Sequence, residues 1–168
     1  YTKLKAEKII QNSMDNYLIL RISWLMSKYK NNFLNNIKQK IINKEAFSMV
    51  NDQIGNPTLC SSINEFIENF CLKFYSKNIL YTGVFHLSNE PQISKYDFSK
   101  FIFQNINKDN KKVKYKNYIK PIKSKNFKNI AKRPLNTSFN LSKIKKTDLI
   151  INFNWKKEVK DLLKESDE

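Results

Sequence analysis

Glycine is nearly missing from this chain. Its 168 residues hold two, Gly55 and Gly83, and neither sits in a G-x-x-G-x-x-G setting. No loop of backbone N–H groups that closes around a dinucleotide phosphate can be built without such a run. Cysteine is as scarce. Cys60 and Cys71 have neither C-x-x-C nor Cys/His spacing, which argues against zinc, fits a reducing compartment and leaves two ordinary, semi-buried thiols. The single histidine, His86, has no partner at metal-ligand spacing and lies in an apolar run, so it is expected as a core residue rather than an acid or a ligand. No stretch approaches the ~18 apolar residues that cross a bilayer, and no signal peptide is visible. A cytoplasmic protein with no membrane partner is expected.

Arginine is the other shortage. The formal net charge of +16 comes from 29 lysines and only two arginines, Arg21 and Arg133, beside 23 asparagines and 20 isoleucines. Lys, Asn, Ile, Phe and Tyr all have AT-rich codons, so a biased genome produces this composition without selection for a polyanion. A dedicated nucleic-acid binder more often uses the planar fork of arginine. The segment 108–128, with nine lysines and Tyr115, Tyr118 and Phe127, is the nearest thing to a basic-aromatic surface. It is read here as a solvated rim that steers an anionic ligand, and no nucleic-acid partner is expected.

Apolar residues make up 40% of the chain, enough for a real core. Helical spacing of Ala6, Ile9, Ile10 and Met14 predicts a helix over 3–13, and Tyr17 to Ile22 reads as a strand covered on both faces. Phe33, Leu34, Ile37 and Ile41 predict a second helix, and 46–50 a short strand. Ser62 with Glu65 forms a capping-box pattern ahead of a stripe of Ile63, Phe66, Ile67, Phe70 and Phe74. Gly83 to Leu87 reads as a second buried strand. Ser94 with Asp97 opens a helix faced by Tyr96, Phe98, Phe101, Ile102 and Ile106. A strand around 115–122, a short helix capped by Ser142, and a last helix capped by Asn154 with Trp155, Val159, Leu162 and Leu163 inward complete the reading. Alternating helices and strands indicate an α/β fold with a parallel sheet.

Between the strand at 46–50 and the helix after Ser62 stands Asp52-Gln53-Ile54-Gly55-Asn56-Pro57-Thr58. Gly55 can take a positive φ, Pro57 fixes its own, and Asn56 is held extended by the proline, so Asp52, Gln53 and Thr58 are expected on a stiff loop. The tract resembles the Asp-Gln-x-Gly-x-Pro-Thr signature of the dTDP-4-dehydrorhamnose reductase family, a branch of the extended short-chain dehydrogenases/reductases. Further segments match in the family's order. Thr2-Lys3-Leu4-Lys5-Ala6-Glu7 resembles the end of its Tyr-x-x-x-Lys motif, and Leu20-Arg21-Ile22-Ser23-Trp24 its Leu-Arg-Thr-Ser-Trp strand. Asn32-Phe33, Gly83 to Ser88, Tyr96-Asp97-Phe98 and Arg133 to Ser138 follow suit.

The resemblance implies the C-terminal part of a Rossmann-type parallel sheet with helices plus a small α/β substrate-binding lobe. Segments 1–45 and 62–106 would carry mainly the last Rossmann elements, and 46–61 and 107–168 mainly the lobe. The N-terminal cofactor-binding half is expected outside this chain, which opens at Tyr1. The implied reaction is NADPH-dependent (or NADH-dependent) reduction of the C4 ketone of dTDP-4-dehydro-L-rhamnose, with this part inactive alone and a homodimer among the expected assemblies.

A tyrosine acid needs a lysine one helical turn later to favour its ionised form. Tyr1 and Lys5 fit Tyr-x-x-x-Lys literally, whereas the longer matched register gives the lysine role to Lys3, which in the family also bonds the nicotinamide ribose. Lys3 is preferred, with its tyrosine upstream of Tyr1. Trp24 corresponds to a tryptophan that packs on the substrate sugar, for which an indole is well suited; Ile22 replaces the family's threonine. Gln53, Thr58 and Asn136 are expected substrate contacts, and Arg133 a bidentate holder of the diphosphate. Some members bind magnesium at a dimer interface through an acid just after the signature threonine. Here Leu59-Cys60-Ser61-Ser62 offers none, so magnesium is not expected. The rival readings are a non-catalytic sugar-nucleotide or regulatory binding protein of the same fold, and a basic nucleic-acid-binding module.

Overall fold

The computed structural model describes residues 1–29, 31–110, 112–126, 133–149 and 151–164. Lys111, Phe127 and Lys128 of the basic segment therefore lie outside the described residues. In chain order the elements are α1 (Thr2–Ser13), β1 (Leu18–Ile22), β2 (Leu25–Met26), α2 (Phe33–Ile42), β3 (Phe47–Val50), β4 (Ile54–Gly55), β5 (Thr58–Leu59) and α3 (Cys60–Lys77). After them come β6 (Gly83–Leu87), β7 (Ile93–Ser94), α4 (Lys95–Ile106), β8 (Ile119–Ile122), β9 (Asn136–Thr137), α5 (Ser142–Lys145) and α6 (Trp155–Lys164). The class is α/β, with parallel pairing of β1 with β6, β2 with β5 and β3 with β8.

Two apolar cores form. The first joins Leu34, Ile37 and Ile41 of α2 to Phe98 and Ile102 of α4, Ile119 of β8, and Trp155 and Val159 of α6. Trp155 is fully buried, with Phe98 and Phe101 at ring-centroid distances of 5.3 and 4.9 Å, and its Nε1–H donates to the Pro91 carbonyl at 2.8 Å. The second core sets Phe66 of α3 against Phe85 and Leu87 of β6, with Leu141, Ile144 and Leu149 closing over them. Leu18 and Leu20 pair in register with Gly83 and Phe85, and both pack against this cluster.

Caps follow the sequence at two of the four expected places. Ser94 caps α4, its Oγ accepting from the Asp97 N–H at 3.0 Å, and Asn154 caps α6 by accepting from the Lys156 N–H at 3.0 Å. Ser62 does not cap α3. The helix opens two residues earlier at Cys60, so Ser62 stands within its first turn, where its hydroxyl donates to the Asn152 carbonyl at 3.1 Å. Glu65 accepts from the Asn152 N–H at 2.8 Å, so the pair clamps a distant segment. Ser142 is the first residue of α5, behind an N-cap at Leu141, and its N–H donates to Asn140 Oδ1 at 2.8 Å.

Other expectations are corrected by packing. β1 is half-buried at Leu18 to Leu20 and exposed at Arg21 and Ile22, because β1 and β6 form a two-stranded sheet covered mainly on the Leu20 and Phe85 side. The apolar stripe of α1 forms as a helix but buries no residue. The strand expected over 115–122 is a 3₁₀ turn at Tyr115–Asn117 followed by β8. Cys71 is exposed, Cys60 half-buried. His86 is half-buried as well, its ring stacked on Phe139 with centroids 4.5 Å apart. Gly55 does not use a positive φ; among the described glycines Gly83 does, at +101°.

Candidate substrate site

The signature tract is held from three sides. Asn89, fully buried, donates its N–H to the Pro57 carbonyl (2.7 Å), while its own carbonyl accepts from Asn56 Nδ2 (2.9 Å). Its Oδ1 accepts from the Leu59 N–H at 2.9 Å, and its Nδ2 donates to Ser62 Oγ at 2.8 Å and to the Asn152 carbonyl at 2.9 Å. Every polar group of this asparagine is thus satisfied. Asn56 Oδ1 accepts from the Phe139 N–H at 3.0 Å. At the other end, Asp52 accepts from the Ser124 N–H at 3.0 Å and from its hydroxyl at 2.6 Å. Those bonds from Ser124, chiefly the hydroxyl, hold the Asp52 carboxyl below its ordinary range.

A three-stranded sheet of two-residue strands, in the order β7-β4-β9, gathers three remote segments. Ile54 lies opposite Ser94 on one side and Asn136 on the other. The residues flanking these strands, Gln53, Lys95 and Arg133, are thereby brought to one place. They meet Trp24 just past the C-terminal end of β1, the edge where parallel sheets offer their ligand sites.

Trp24 has a positive φ of +41°, a conformation that costs a bulky residue on the order of 1–3 kcal/mol and points to a constrained position. Its carbonyl accepts from the Thr58 N–H at 3.0 Å, and its ring meets Phe33 at 6.1 Å. The indole approaches Gly55 so closely that a Cβ there would lie 2.6 Å from Trp24 Cε2. Gly55 is required for contact, not for its dihedral freedom.

Two cavities share this centre. One, of about 470 Å³, is lined by Ile22, Ser23, Arg133, Asn136 and Phe139 besides Trp24, Gln53 and Lys95. The other, of about 450 Å³, runs past Asn32, Phe33, Asn36, Met49 and Val50. Trp24, Gln53, Lys95 and Arg133 line both. Gln53 is nearly buried; its Nε2 donates to Ser124 Oγ at 3.1 Å and its Oε1 accepts from Lys95 Nζ at 2.8 Å. Asn136 Oδ1 accepts from the N–H and hydroxyl of Ser138, at 2.9 and 2.6 Å.

Four of the expected contacts therefore converge: Trp24, Gln53, Arg133 and Asn136. Thr58 does not line either cavity. It is fully buried, its hydroxyl donates to the Ser23 carbonyl, and it accepts from the Ser23 N–H at 3.3 Å, which ties the signature tract to the end of β1. Lys3 is exposed on α1 and lines neither cavity. Glu7 on the same helix forms a two-pronged ion pair with Arg21 of β1, at 3.0 and 2.6 Å. Lys5 Nζ instead sits 4.5 Å over the ring of the exposed Tyr1.

Lys95 was missed by sequence reasoning. The signal available was its position directly after the N-cap Ser94, where an acidic residue is normally favoured. The basic segment borders a separate cavity of about 470 Å³ lined by Phe103, Lys108, Val113, Lys114 and Tyr115. Among the described residues no group of three or more His, Cys, Asp or Glu could hold a metal ion, and no helix is long and apolar enough to cross a membrane.

A dTDP-4-dehydrorhamnose reductase from Aggregatibacter actinomycetemcomitans is 27% identical over 161 residues, covering 96% of this chain and 54% of that protein. A crystal structure of the dTDP-4-dehydrorhamnose reductase of Bacillus anthracis in complex with NADP superimposes with a TM-score of 0.76 at 27% identity, over 96% of this chain and 52% of that one. The Clostridium acetobutylicum orthologue gives 0.79 at 26% identity, over 96% and 53%. This chain spans about half the length of the curated relatives it matches. The family model described as the RmlD substrate binding domain matches residues 1–168, and the chain belongs to that family.

Proposed function

We propose that this chain is the substrate-side part of an NADPH-dependent reductase that converts the C4 ketone of dTDP-4-dehydro-L-rhamnose to the alcohol of dTDP-L-rhamnose, in the cytoplasm. The observation that carries the reading is the convergence of an indole and a guanidinium on one cavity at the C-terminal edge of β1. An indole offers a face to the apolar side of a pyranose, and a guanidinium offers paired donors to a diphosphate. The NADP bound to the Bacillus anthracis relative supports the choice of cofactor.

On this reading the sugar occupies the cavity beside Ile22, Ser23 and Trp24. The nucleoside occupies the cavity of Phe33, Met49 and Val50, where Asn32 and Asn36 supply amides. By its match to the family motif, Lys3 is the residue of this chain that holds the cofactor's ribose and favours ionisation of the tyrosine acid. Neither Gly55, pressed under Trp24, nor Gly83, at the start of β6, forms a phosphate cradle. The chemistry supplied by the bound nicotinamide is a hydride. Segments 46–61 and 107–168 then serve mainly as the substrate lobe, and 1–45 and 62–106 mainly as the last elements of the nucleotide-binding fold.

The test is calorimetric titration of this 168-residue chain with dTDP-L-rhamnose. Binding that weakens about tenfold or more in Trp24→Ala, the scale of ~1.4 kcal/mol, supports the reading. Equal affinity for the nucleotide sugar in both proteins, or preference for single-stranded RNA over it, sinks it.

A further inference from the structure

Lys95 breaks a local rule without an opposite charge to offset it. As the first residue of α4 it opposes the helix dipole, which disfavours a cation at that end. It is half-buried, and burial, followed by the nearby Arg133, holds its amine below the ordinary lysine range. Among the described residues no carboxylate pairs with it. Its hydrogen bond is to a neutral amide, Gln53 Oε1, and its Nζ stands 5.8 and 5.9 Å over the rings of Trp24 and Phe33.

The amine is nonetheless positioned with care. Asp52 fixes Ser124, Ser124 fixes the Gln53 amide, and Gln53 presents its oxygen to Lys95, each step a hydrogen bond of 2.6 to 3.1 Å. A chain of fixed polar groups ending in an uncompensated cation is what a preorganised anion site requires, since the unfavourable charge is relieved only when the ligand arrives. Lys95 and Arg133 also line both cavities. A ligand that fills the two therefore meets both cations.

Resting on the reading above, we infer that Lys95 is a substrate-binding residue that, with Arg133, clamps the diphosphate bridge of the nucleotide sugar and so selects diphosphate-linked sugars over neutral glycosides. Two cations match a dianionic bridge. A neutral link would leave both uncompensated in a half-buried site.

The experiment is titration of the 168-residue chain with dTDP, thymidine and inorganic pyrophosphate, in the original sequence and in Lys95→Met, Lys95→Arg and Trp24→Ala. The expected result is a loss of dTDP affinity of about 10- to 100-fold in Lys95→Met, the scale of a hydrogen bond to a charged group. Thymidine affinity should hold, pyrophosphate binding should fall in parallel with dTDP, and Lys95→Arg should keep most of the affinity. Thermal melting checks the fold; removing an uncompensated charge should leave Tm unchanged or raised. If Lys95→Met binds dTDP as tightly as the original while Trp24→Ala still weakens dTDP-L-rhamnose, the role of Lys95 is overturned and the substrate reading stands. If the original chain does not distinguish dTDP from thymidine, and binds dTDP-L-rhamnose no more tightly than Trp24→Ala does, both fall together.

Discussion

Trp24 and Gly55 are in contact through space that no side chain could share. A Cβ on Gly55 would lie 2.6 Å from Trp24 Cε2, 2.8 Å from its Nε1 and 2.6 Å from Thr137 Oγ1. The glycine of the signature tract thus acts as the seat of the indole.

Gly55→Ala should displace Trp24 and the β4–β9 pairing together. Overpacking of this kind costs about 1–3 kcal/mol, and dTDP-L-rhamnose affinity should fall by about tenfold. Tryptophan emission would report it: the Trp24 contribution should shift while that of fully buried Trp155 stays, as separated by parallel spectra of Trp24→Phe.

Asn89→Ala should be among the most damaging single changes in the chain. It strands the Leu59 N–H in a buried setting and removes the donor to Ser62 Oγ and one of the two donors to the Asn152 carbonyl. The expected loss is about 2–4 kcal/mol, read as a lowered urea midpoint at unchanged m-value. Asn89→Asp should do no better, because a carboxylate cannot donate to Asn152.

Asp52→Ala should show a pH-dependent effect. Its folded carboxyl is lowered by the Ser124 bonds, so its stabilising contribution is present above the unfolded value and disappears as pH falls through the lowered one. Melting curves of the two proteins should therefore differ most near neutrality and converge in strong acid. A constant offset across that range would assign the effect to something other than the charge.

Glu158 carries the opposite sign. Burial raises its carboxyl, against the bond donated by Ser61, with Glu65 and Asp161 adding repulsion. The native state then holds a proton that the unfolded chain has released, so stability falls as pH rises from the ordinary carboxylate range through the raised value. Glu158→Gln, which can still accept from Ser61, should raise Tm by about 1–3 °C at pH 8 and have little effect at pH 4.

The sequence carried most of the framework. Gly83 to Leu87 forms the strand its apolar run implied, Ser94 and Asn154 cap as their spacing indicated, and the signature tract marked the site. What could not be read was long-range. Ser62 and Glu65 look like a cap because the pattern is local, whereas their partner, Asn152, is about 90 positions away. Lys95 is one lysine among 29 until β4 and β7 place it against Gln53, 42 residues distant. The stripe on α1 predicted a helix correctly but not what covers it, since periodicity specifies a face and not its neighbour.

The sheet β7-β4-β9 also sets when the site comes into being. Each strand contributes two residues, so few backbone bonds reward closures that span about 40 residues from β4 to β7 and about 80 from β4 to β9, and each closure must be met in entropy before any contact is gained. The ligand site of this chain is consequently expected to assemble late and to open early. Amide exchange at Ile54 and Asn136 should be fast relative to that in α4, and should slow when a nucleotide sugar is bound, as the ligand joins three segments that the backbone alone holds loosely.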